Sequence, residues 1–401
     1  IVNEVNNCKI GLSIERSEDD TLVIGKGIYG DDKGSPPGTL HVAVLRSQYA
    51  AGKILNLDTS IASRIPGVHS IIDGKSFANI SKPLLSVLRI DIEVWPCAIE
   101  YVRYVGEPIA LVLAKNRYIA EDAIENIKVS YQKYNPIIKT LESTLNSSPK
   151  VHKKTKSNVV SDRNFSYGNP KEAFKKADKI VELKIGYPRN SCTPLEGFVV
   201  ESNYNTAENS YTVQSNFQGP FSLHSVISRS LNVNENKLRL LSNQDSGGSF
   251  GVKQAILPMI VLTCLASRIS GKNIKWVEDR IEHLTAASSA TNRVTTIKAA
   301  VKRNGEILAL DYDQIDDVGA YLRAPEPASL YRMHGNLSGA YLVKNISCRN
   351  RVVLTNKTPT GLNRGFGGPQ HYYALERLVH QIAVKLKLDR LAVIKLNLVK
   401  D

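Results

Sequence analysis

The sequence predicts an α+β fold, with two mixed helix-and-strand units joined by a polar connector. Its 401 residues suffice for two or three domains of about 100–200 residues each. Strand and helix patterns occur on both sides of a polar stretch at 136–165, where NSSP at 146–149 is typical of a turn. We therefore predict a first domain at 1–135, a connector at 136–165 and a second domain at 166–401.

In the first domain, apolar runs predict strands at 40–45 and 109–114. The unbroken run IALVLA at 109–114 indicates burial on both faces. Alanine, isoleucine and acidic residues at helical spacing predict a helix over 116–127, and 127–131 returns to a strand. The stretch TLVI at 21–24 is also strand-like. Helices interspersed with strands are the basis of the predicted class.

The second domain shows the same mixture of patterns. Helices are predicted at 171–177, 255–270 and 370–387, strands at 178–185, 237–241, 294–301, 307–315 and 350–355, and a hairpin-like pair of strands within 198–218. No internal repeat is visible, so we interpret this part as one α/β unit rather than as an array.

The chain is basic, with 52 Lys and Arg against 38 Asp and Glu and a net charge of +14. Such a charge raises nucleic acid as a partner. The basic residues are spread along the chain, however, and the densest run, HKKTK at 152–156, lies in the connector, where a solvated linker is the simpler interpretation. We expect no nucleic-acid binding, while an acidic partner subunit stays open.

Composition indicates a protein of the cytoplasm without membrane insertion. Charged residues make up 22% of the chain, no stretch approaches the ~18–20 uninterrupted apolar residues of a membrane span, and no signal peptide is recognisable. The five cysteines are Cys8, Cys97, Cys192, Cys264 and Cys348. They are far apart and odd in number, so we expect reduced thiols and no zinc, iron–sulfur or other metal site formed by side chains.

A match to the dinucleotide fingerprint G-x-G-x-x-G occurs at 25–30 (GKGIYG). That fingerprint binds a pyrophosphate only where a helix N-terminus follows it. Here DDKGSPPG follows at 31–38, a sequence that does not form a helix. We therefore interpret 25–30 as a glycine-rich turn.

Two further glycine-rich loops precede predicted helices. SGGSFG at 246–251 offers backbone N–H groups ahead of a helix, an arrangement that binds anions. RGFGGPQ at 364–370 places a phenylalanine between glycines, where it can stack on a flat ligand or turn back into its own core. The chain carries no G-x-S-x-G, P-loop or H-E-x-x-H motif. Together these features predict one flat or phosphate-bearing cofactor held between the two loops.

At these loops the sequence resembles the molybdenum-binding large subunits of the xanthine dehydrogenase and aldehyde oxidase family, the molybdenum hydroxylases. Segments 25–32, 45–47 (LRS), 65–68 (IPGV) and 105–108 (VGEP) resemble its a/b hammerhead domain. Segments 218–220 (QGP), 246–251, 278–280 (EDR), 317–321 (DVGAY) and 355–370 resemble its first molybdopterin-binding domain. The resemblance implies these two domains in succession, and only the N-terminal half of such a subunit.

The resemblance also implies roles for individual residues. Gln218 would donate from its amide to an oxo ligand of molybdenum. Gly248, Phe250 and Gly251 would bind the cofactor from one side, and Arg364 with Gly365 from the other. Phe366 would stack on the substrate. The metal is held by the pterin in this family, which explains the missing protein ligands.

Substrate indications from the resemblance are mixed. Purine-hydroxylating members carry a glutamate where this chain has Gln254, whereas Arg332 aligns with a substrate-facing arginine of the same enzymes or is a plain surface residue. We therefore expect an aldehyde, or else an N-heterocycle. Carbon-monoxide-oxidising members hold copper on a cysteine in the loop that here reads RGFG at 364–367, so a related chain without copper is an alternative.

Family large subunits are roughly twice as long as this chain. The resemblance implies that the other half supplies most pterin contacts and the glutamate that acts as general base. We expect a complementary subunit, together with iron–sulfur and flavin subunits, since neither FAD nor an iron–sulfur cluster is expected on this chain. The cofactor would be molybdopterin, in its cytosine dinucleotide form in some members. Alone, the chain is expected to be inactive; a non-catalytic assembly or scaffold subunit is a further alternative.

Overall fold

The computed structural model describes residues 10–86, 88, 90–324 and 326–400, and its helices and strands confirm the α+β class. The strands are β1 Leu40–Arg46, β2 Gly52–Asp58, β3 Val68–Asp73, β4 Tyr101–Val102, β5 Pro108–Ala114, β6 Lys128–Lys133, β7 Val159–Tyr167, β8 Lys179–Tyr187, β9 Val199–Asn205, β10 Ser210–Ser215, β11 Leu238–Ser242, β12 Ile274–Val277, β13 Asn292–Val301, β14 Ile307–Asp317 and β15 Ile346–Val353. The α-helices are α1 Asp19–Leu22, α2 Gly74–Ala78, α3 Arg117–Glu125, α4 Pro170–Lys175, α5 Pro220–Ser230, α6 Leu257–Ser270, α7 Arg280–Ala286, α8 Ala328–Tyr331, α9 Gly368–Leu386 and α10 Arg390–Asn397.

The largest sheet takes strands from both predicted domains, in the order β11-β10-β9-β12-β1-β5-β3. The junction is the parallel pair β1 and β12, in which Leu40 lies opposite Ile274. Hydrogen bonding thus continues across the point where the sequence predicts separate units. The division at 135 stays a prediction about units that fold on their own.

The core of this sheet follows from the apolar run of β5, which is buried along its whole length as predicted. Helix α3 packs on one face, where Ala120 and Ala123 join the core around Val112. On the other face, Leu111 and Leu113 belong to the main core, which also contains the apolar side chains of α6. The sheet is therefore covered on both sides, as its unbroken hydrophobicity requires.

A five-stranded sheet, in the order β7-β15-β14-β13-β8, packs against α9. Its inner face holds a buried ion pair, in which Arg293 contacts both carboxylate oxygens of Asp316 at 2.7 and 3.0 Å. Asn350 donates to the same carboxylate at 2.7 Å. The glycine-rich loop at 364–367 lies immediately before α9, so this sheet and helix hold it in place.

The expected strand at 21–24 is wrong, because Asp19–Leu22 forms a helical turn. Two acidic residues, Asp19 and Asp20, begin the turn, where the helix dipole favours negative charge. Gly25 then ends it with φ 71°. Residues 31–38 are turns and coil, so the prediction that no helix follows the 25–30 turn is confirmed.

The basic run at 152–156 is not a fully solvated linker. His152 is 5% exposed, and its Nε2 lies 2.7 Å from the carbonyl of Ala320. The Lys153 ammonium lies over the rings of Tyr101 and Tyr134, at 4.8 and 4.7 Å. The rings that contact Lys153 belong to other segments of the chain. Composition alone does not reveal such contacts, so the run has the appearance of a solvated linker in the sequence.

One segment, Val252–Ser270, is long and apolar enough to cross a membrane by length and composition. It contains α6, and 78% of its most apolar window is buried inside the fold. Its hydrophobicity is therefore that of a core helix, which packs beneath the largest sheet.

Candidate cofactor site

Two loops form the centre of the candidate site, and each leads into a helical segment. The 246–251 loop precedes a 3₁₀ turn at Val252–Ile256 and then α6, while the 364–367 loop precedes α9. Phe250 and Phe366 both have left-handed backbone conformations, with φ 53° and 49°. Bulky residues rarely adopt this region, and such strain concentrates at ligand sites.

The end of the 246–251 loop contacts the residues that lie just before the 364–367 loop. A Cβ added to Gly251 would lie 3.0 Å from the carbonyl carbon and oxygen of Leu362. A Cβ added to Gly361 would lie 3.6 Å from that of Ala255. The backbones therefore approach as closely as glycine allows, and we refer to the surface between the two loops as the cleft.

Gln218 lies at this cleft with its amide in a defined orientation. The backbone N–H of Gly251 lies 3.0 Å from Oε1 of Gln218, and the Ser249 hydroxyl donates to the same oxygen. A backbone N–H can only donate, so the oxygen of the amide must face the loop. The Nε2 group has no partner among the described residues, which leaves two N–H donors available for a ligand.

Further donors surround the cleft. No described residue accepts a hydrogen bond from the backbone N–H groups of Gly248, Ser249 and Phe250. Close by, the buried hydroxyls of Ser288 and Thr360 have no partner among the described residues either. Unpaired donors of this kind suit an oxygen-rich or anionic ligand.

Phe366 and Arg332 meet at the second loop. The Arg332 guanidinium lies 5.2 Å from the centre of the Phe366 ring, within cation–π range. A cavity of about 60 Å³ beside this ring is also lined by Tyr187 and Gln370. Arg364 lines the same cavity from an exposed position.

Gln254 lies next to the start of α5, where an added Cβ on Gly219 would lie 3.9 Å from its Nε2. Its Nε2 donates to the Ser222 hydroxyl at 2.9 Å, while its Oε1 is buried without a partner among the described residues. A neutral amide thus occupies the position for which the resemblance implies a carboxylate in purine-hydroxylating enzymes.

Sequence reasoning missed a buried ion pair beneath the 246–251 loop. Lys253, whose side chain is fully buried, lies 2.5 Å from Glu196. Burial lowers the pKa of Lys253, against the opposing effect of Glu196. Burial also acts to raise the pKa of Glu196, but hydrogen bonds from Lys253 and the backbone N–H groups of Gly30 and Gly247 outweigh it and hold that pKa below its usual value.

Two parts of the chain match models of known domain families. Residues 24–135 match the aldehyde oxidase and xanthine dehydrogenase a/b hammerhead domain, and residues 151–398 match the molybdopterin cofactor-binding domain. The chain belongs to the molybdenum hydroxylase large subunits.

Relatives within this family match nearly the full length of this chain. The chain is 30% identical over 392 residues to subunit gamma of the 6-hydroxypseudooxynicotine dehydrogenase complex of Paenarthrobacter nicotinovorans, covering 95% of this chain and 48% of the relative. It superposes on quinoline 2-oxidoreductase from Pseudomonas putida 86 with a TM-score of 0.91 at 28% identity, covering 97% of this chain and 50% of the other. The chain spans about half the length of these relatives.

One relative is of comparable length. The large molybdopterin subunit of nicotinate dehydrogenase from Eubacterium barkeri is 28% identical over 363 residues, which cover 90% of this chain and 83% of that subunit. Half-length large subunits therefore occur in this family.

The part of the chain that the structure describes contains no cluster of His, Cys, Asp or Glu suited to a metal. Four cysteines, Cys97, Cys192, Cys264 and Cys348, are free; Cys8 lies outside the described residues. The Cys192 sulfur lies 3.6 Å from the carbonyl of Ser249, but the 364–367 loop carries no thiol. The sequence of that loop, RGFG, therefore offers no cysteine to a metal.

Proposed function

We propose that this chain forms half of the active site of a cytoplasmic molybdenum hydroxylase, which oxidatively hydroxylates an aldehyde or an N-heterocycle with water as the oxygen source. The orientation of Gln218 is the observation that carries the proposal. Its oxygen is held by the 246–251 loop, so its N–H groups face away from that loop as free donors. A donor fixed before the ligand arrives loses little in reorganisation when it stabilises developing charge.

The residues at the cleft fit a molybdenum–pterin cofactor. Gly248, Phe250 and Gly251 would contact it from one loop, and Arg364 with Gly365 from the other. Unpaired N–H and hydroxyl groups supply the hydrogen bonds that a pterin and its phosphate need. When bound, the cofactor supplies a redox-active metal that delivers an oxygen derived from water and accepts two electrons.

On the substrate side, Phe366 would stack on a planar substrate, with Arg332 behind the ring. Gln254 offers an amide that donates and accepts hydrogen bonds but exchanges no proton near neutral pH. Purine substrates are accordingly disfavoured. Quinoline and nicotinate in the names of two relatives support an N-heterocycle beside the aldehyde that the missing glutamate suggests.

We propose that further polypeptide completes the site. The chain spans about half of most of its relatives, and large apolar side chains next to the site are exposed: Leu195 is 93% exposed and Phe221 96%. Further polypeptide would bury this apolar surface. We propose that a complementary subunit covers them and contributes the glutamate general base, while iron–sulfur and flavin subunits remove the electrons.

The test is Gln218→Ala in the assembled complex, with Gln244→Ala, an exposed glutamine before the loop, as the control. Loss of one preorganised donor should reduce kcat by about 100-fold while molybdenum content is retained. The control should match wild type. An unchanged rate in Gln218→Ala would instead support the scaffold alternative.

A further inference from the structure

We propose that Glu196 is a positioning residue, which holds the 246–251 loop, and through it Gln218, in the orientation that the cofactor requires. The inference rests on the proposed function of Gln218. Glu196 itself does not contact the cleft donors described above; it acts through Lys253 and Gly247.

Three donors from two separate segments converge on the Glu196 carboxylate. Its Oε2 accepts from the Lys253 ammonium at 2.5 Å and from the backbone N–H of Gly247 at 2.9 Å. Its Oε1 accepts from the backbone N–H of Gly30 at 3.0 Å. A Cβ on Gly247 would come within 2.4 Å of the Glu196 Cβ, so the loop backbone rests directly on this side chain.

From the carboxylate, contacts continue to the amide of Gln218. The carbonyl of Lys253 lies 3.5 Å from the backbone N–H of Gln218, and the Ser249 hydroxyl accepts from the Lys253 N–H at 3.3 Å. Ser249 and Gly251 in turn hold the Gln218 side chain. A path of contacts therefore links Glu196 to the Gln218 side chain through two intervening residues, Lys253 and Ser249.

The glycine-rich turn at 25–30 braces the same loop from outside. The N–H of Ile28 donates to the Asp245 carboxylate at 2.7 Å, and the N–H of Asp245 returns a bond to the Ile28 carbonyl at 3.2 Å. A Cβ on Gly30 would lie 2.9 Å from that of Val199. The 25–30 turn, which resembles a dinucleotide fingerprint, thus holds Oε1 of Glu196 through the Gly30 N–H.

The contact between Glu196 and Lys253 is a buried ion pair. Lys253 is completely buried and Glu196 nearly so, with side chains 0% and 12% exposed. Removing one partner leaves the other as an uncompensated buried charge, which destabilises a fold strongly. A test must therefore separate loss of stability from loss of positioning.

Glu196→Gln and the double variant Glu196→Gln/Lys253→Met serve this purpose in the assembled holoenzyme. The double variant removes both charges at similar volume, so its unfolding midpoint should recover towards wild type. We expect both to retain molybdenum but to show shifted g-values in the Mo(V) electron paramagnetic resonance spectrum. We also expect a kcat lowered about 10- to 100-fold, with KM nearly unchanged. Glu182→Gln, which breaks an exposed pair with Lys298, is the control and should match wild type.

A wild-type spectrum and kcat in the double variant would overturn the inference and leave Glu196 a purely structural residue. The inference would also be overturned if the g-values of the double variant returned towards wild type to the same extent as its unfolding midpoint. If Gln218→Ala also has no effect, the proposed function fails as well. If Gln218→Ala lowers the rate and the double variant does not, only the positioning role of Glu196 is refuted.

Discussion

At the scale of single residues, the immediate surroundings fix hydrogen-bond orientation and charge state. Gln218 is oriented because the Gly251 N–H can only donate to it. His371 illustrates the same control on charge: it is fully buried on the inner face of the five-stranded sheet, beside the ring of Tyr312. Burial first, and then the positive charge of Arg293, lower the pKa of His371 to about 4.

This shift predicts acid sensitivity of the folded chain. Because the folded pKa lies below the unfolded value of about 6.5, the unfolded state binds more protons between pH 6.5 and 4, and stability falls as pH falls through that window. His371→Phe should reduce this loss by up to about 3 kcal/mol. Urea unfolding at pH 7.0 and 4.5 measures it, with exposed His69→Gln as the control. An equal loss in wild type and His371→Phe would contradict the prediction.

Sequence singles out candidate site residues most easily where one loop carries the whole signal. Phe366 and Gly251 stand out because each belongs to a short loop in which a phenylalanine lies beside glycines, an unusual pattern that is visible within a few adjacent positions. Glu196 and Lys253 give no such signal, since they are 57 residues apart and each is ordinary in its own segment. Their pairing arises only from the fold.

At the scale of elements, the loops depend on glycine where two backbones meet. Gly251 has φ 106°, and an added Cβ would lie 3.0 Å from backbone atoms of Leu362, which have little freedom to move. The close approach of the two loops therefore depends on glycine at position 251. The strands and helices that support it are regular, from β5 to α9.

Gly251→Ala should therefore destabilise the chain and separate the loops. We expect the free energy of unfolding to fall by about 1–3 kcal/mol, from backbone strain. Gly186→Ala is the matched control, because no atom lies within 4 Å of its added Cβ and its φ is not positive. Urea unfolding of both variants measures the difference. Equal midpoints would show that the loops tolerate a wider separation.

The elements that sequence predicts correctly are those with a strong hydrophobic pattern, such as β5, α6 and α9. The strand expected at 21–24 failed because four residues carry too little periodicity to outweigh the preference of Asp19 and Asp20 for a helix start. The basic run at 152–156 looks solvated from its polar composition, yet Lys153 packs against aromatic residues of other segments.

At the scale of the whole molecule, one sheet continues from the hammerhead segment into the cofactor-binding segment through β1 and β12. Pairing of strands so distant in sequence could not be deduced from local patterns, whereas family resemblance correctly predicted the two domain types. This continuous sheet supports both the 25–30 turn and the 246–251 loop. The exposed side chains of Leu195 and Phe221 mark where we expect the complementary polypeptide.

The most direct test of this account is the position of molybdenum in the assembled complex, found by anomalous X-ray scattering at the molybdenum K edge. We expect a single peak for each copy of this chain, in the cleft between the 246–251 and 364–367 loops and on the Nε2 side of Gln218. A molybdenum peak remote from both loops, with those loops facing solvent in a catalytically active complex, would contradict it.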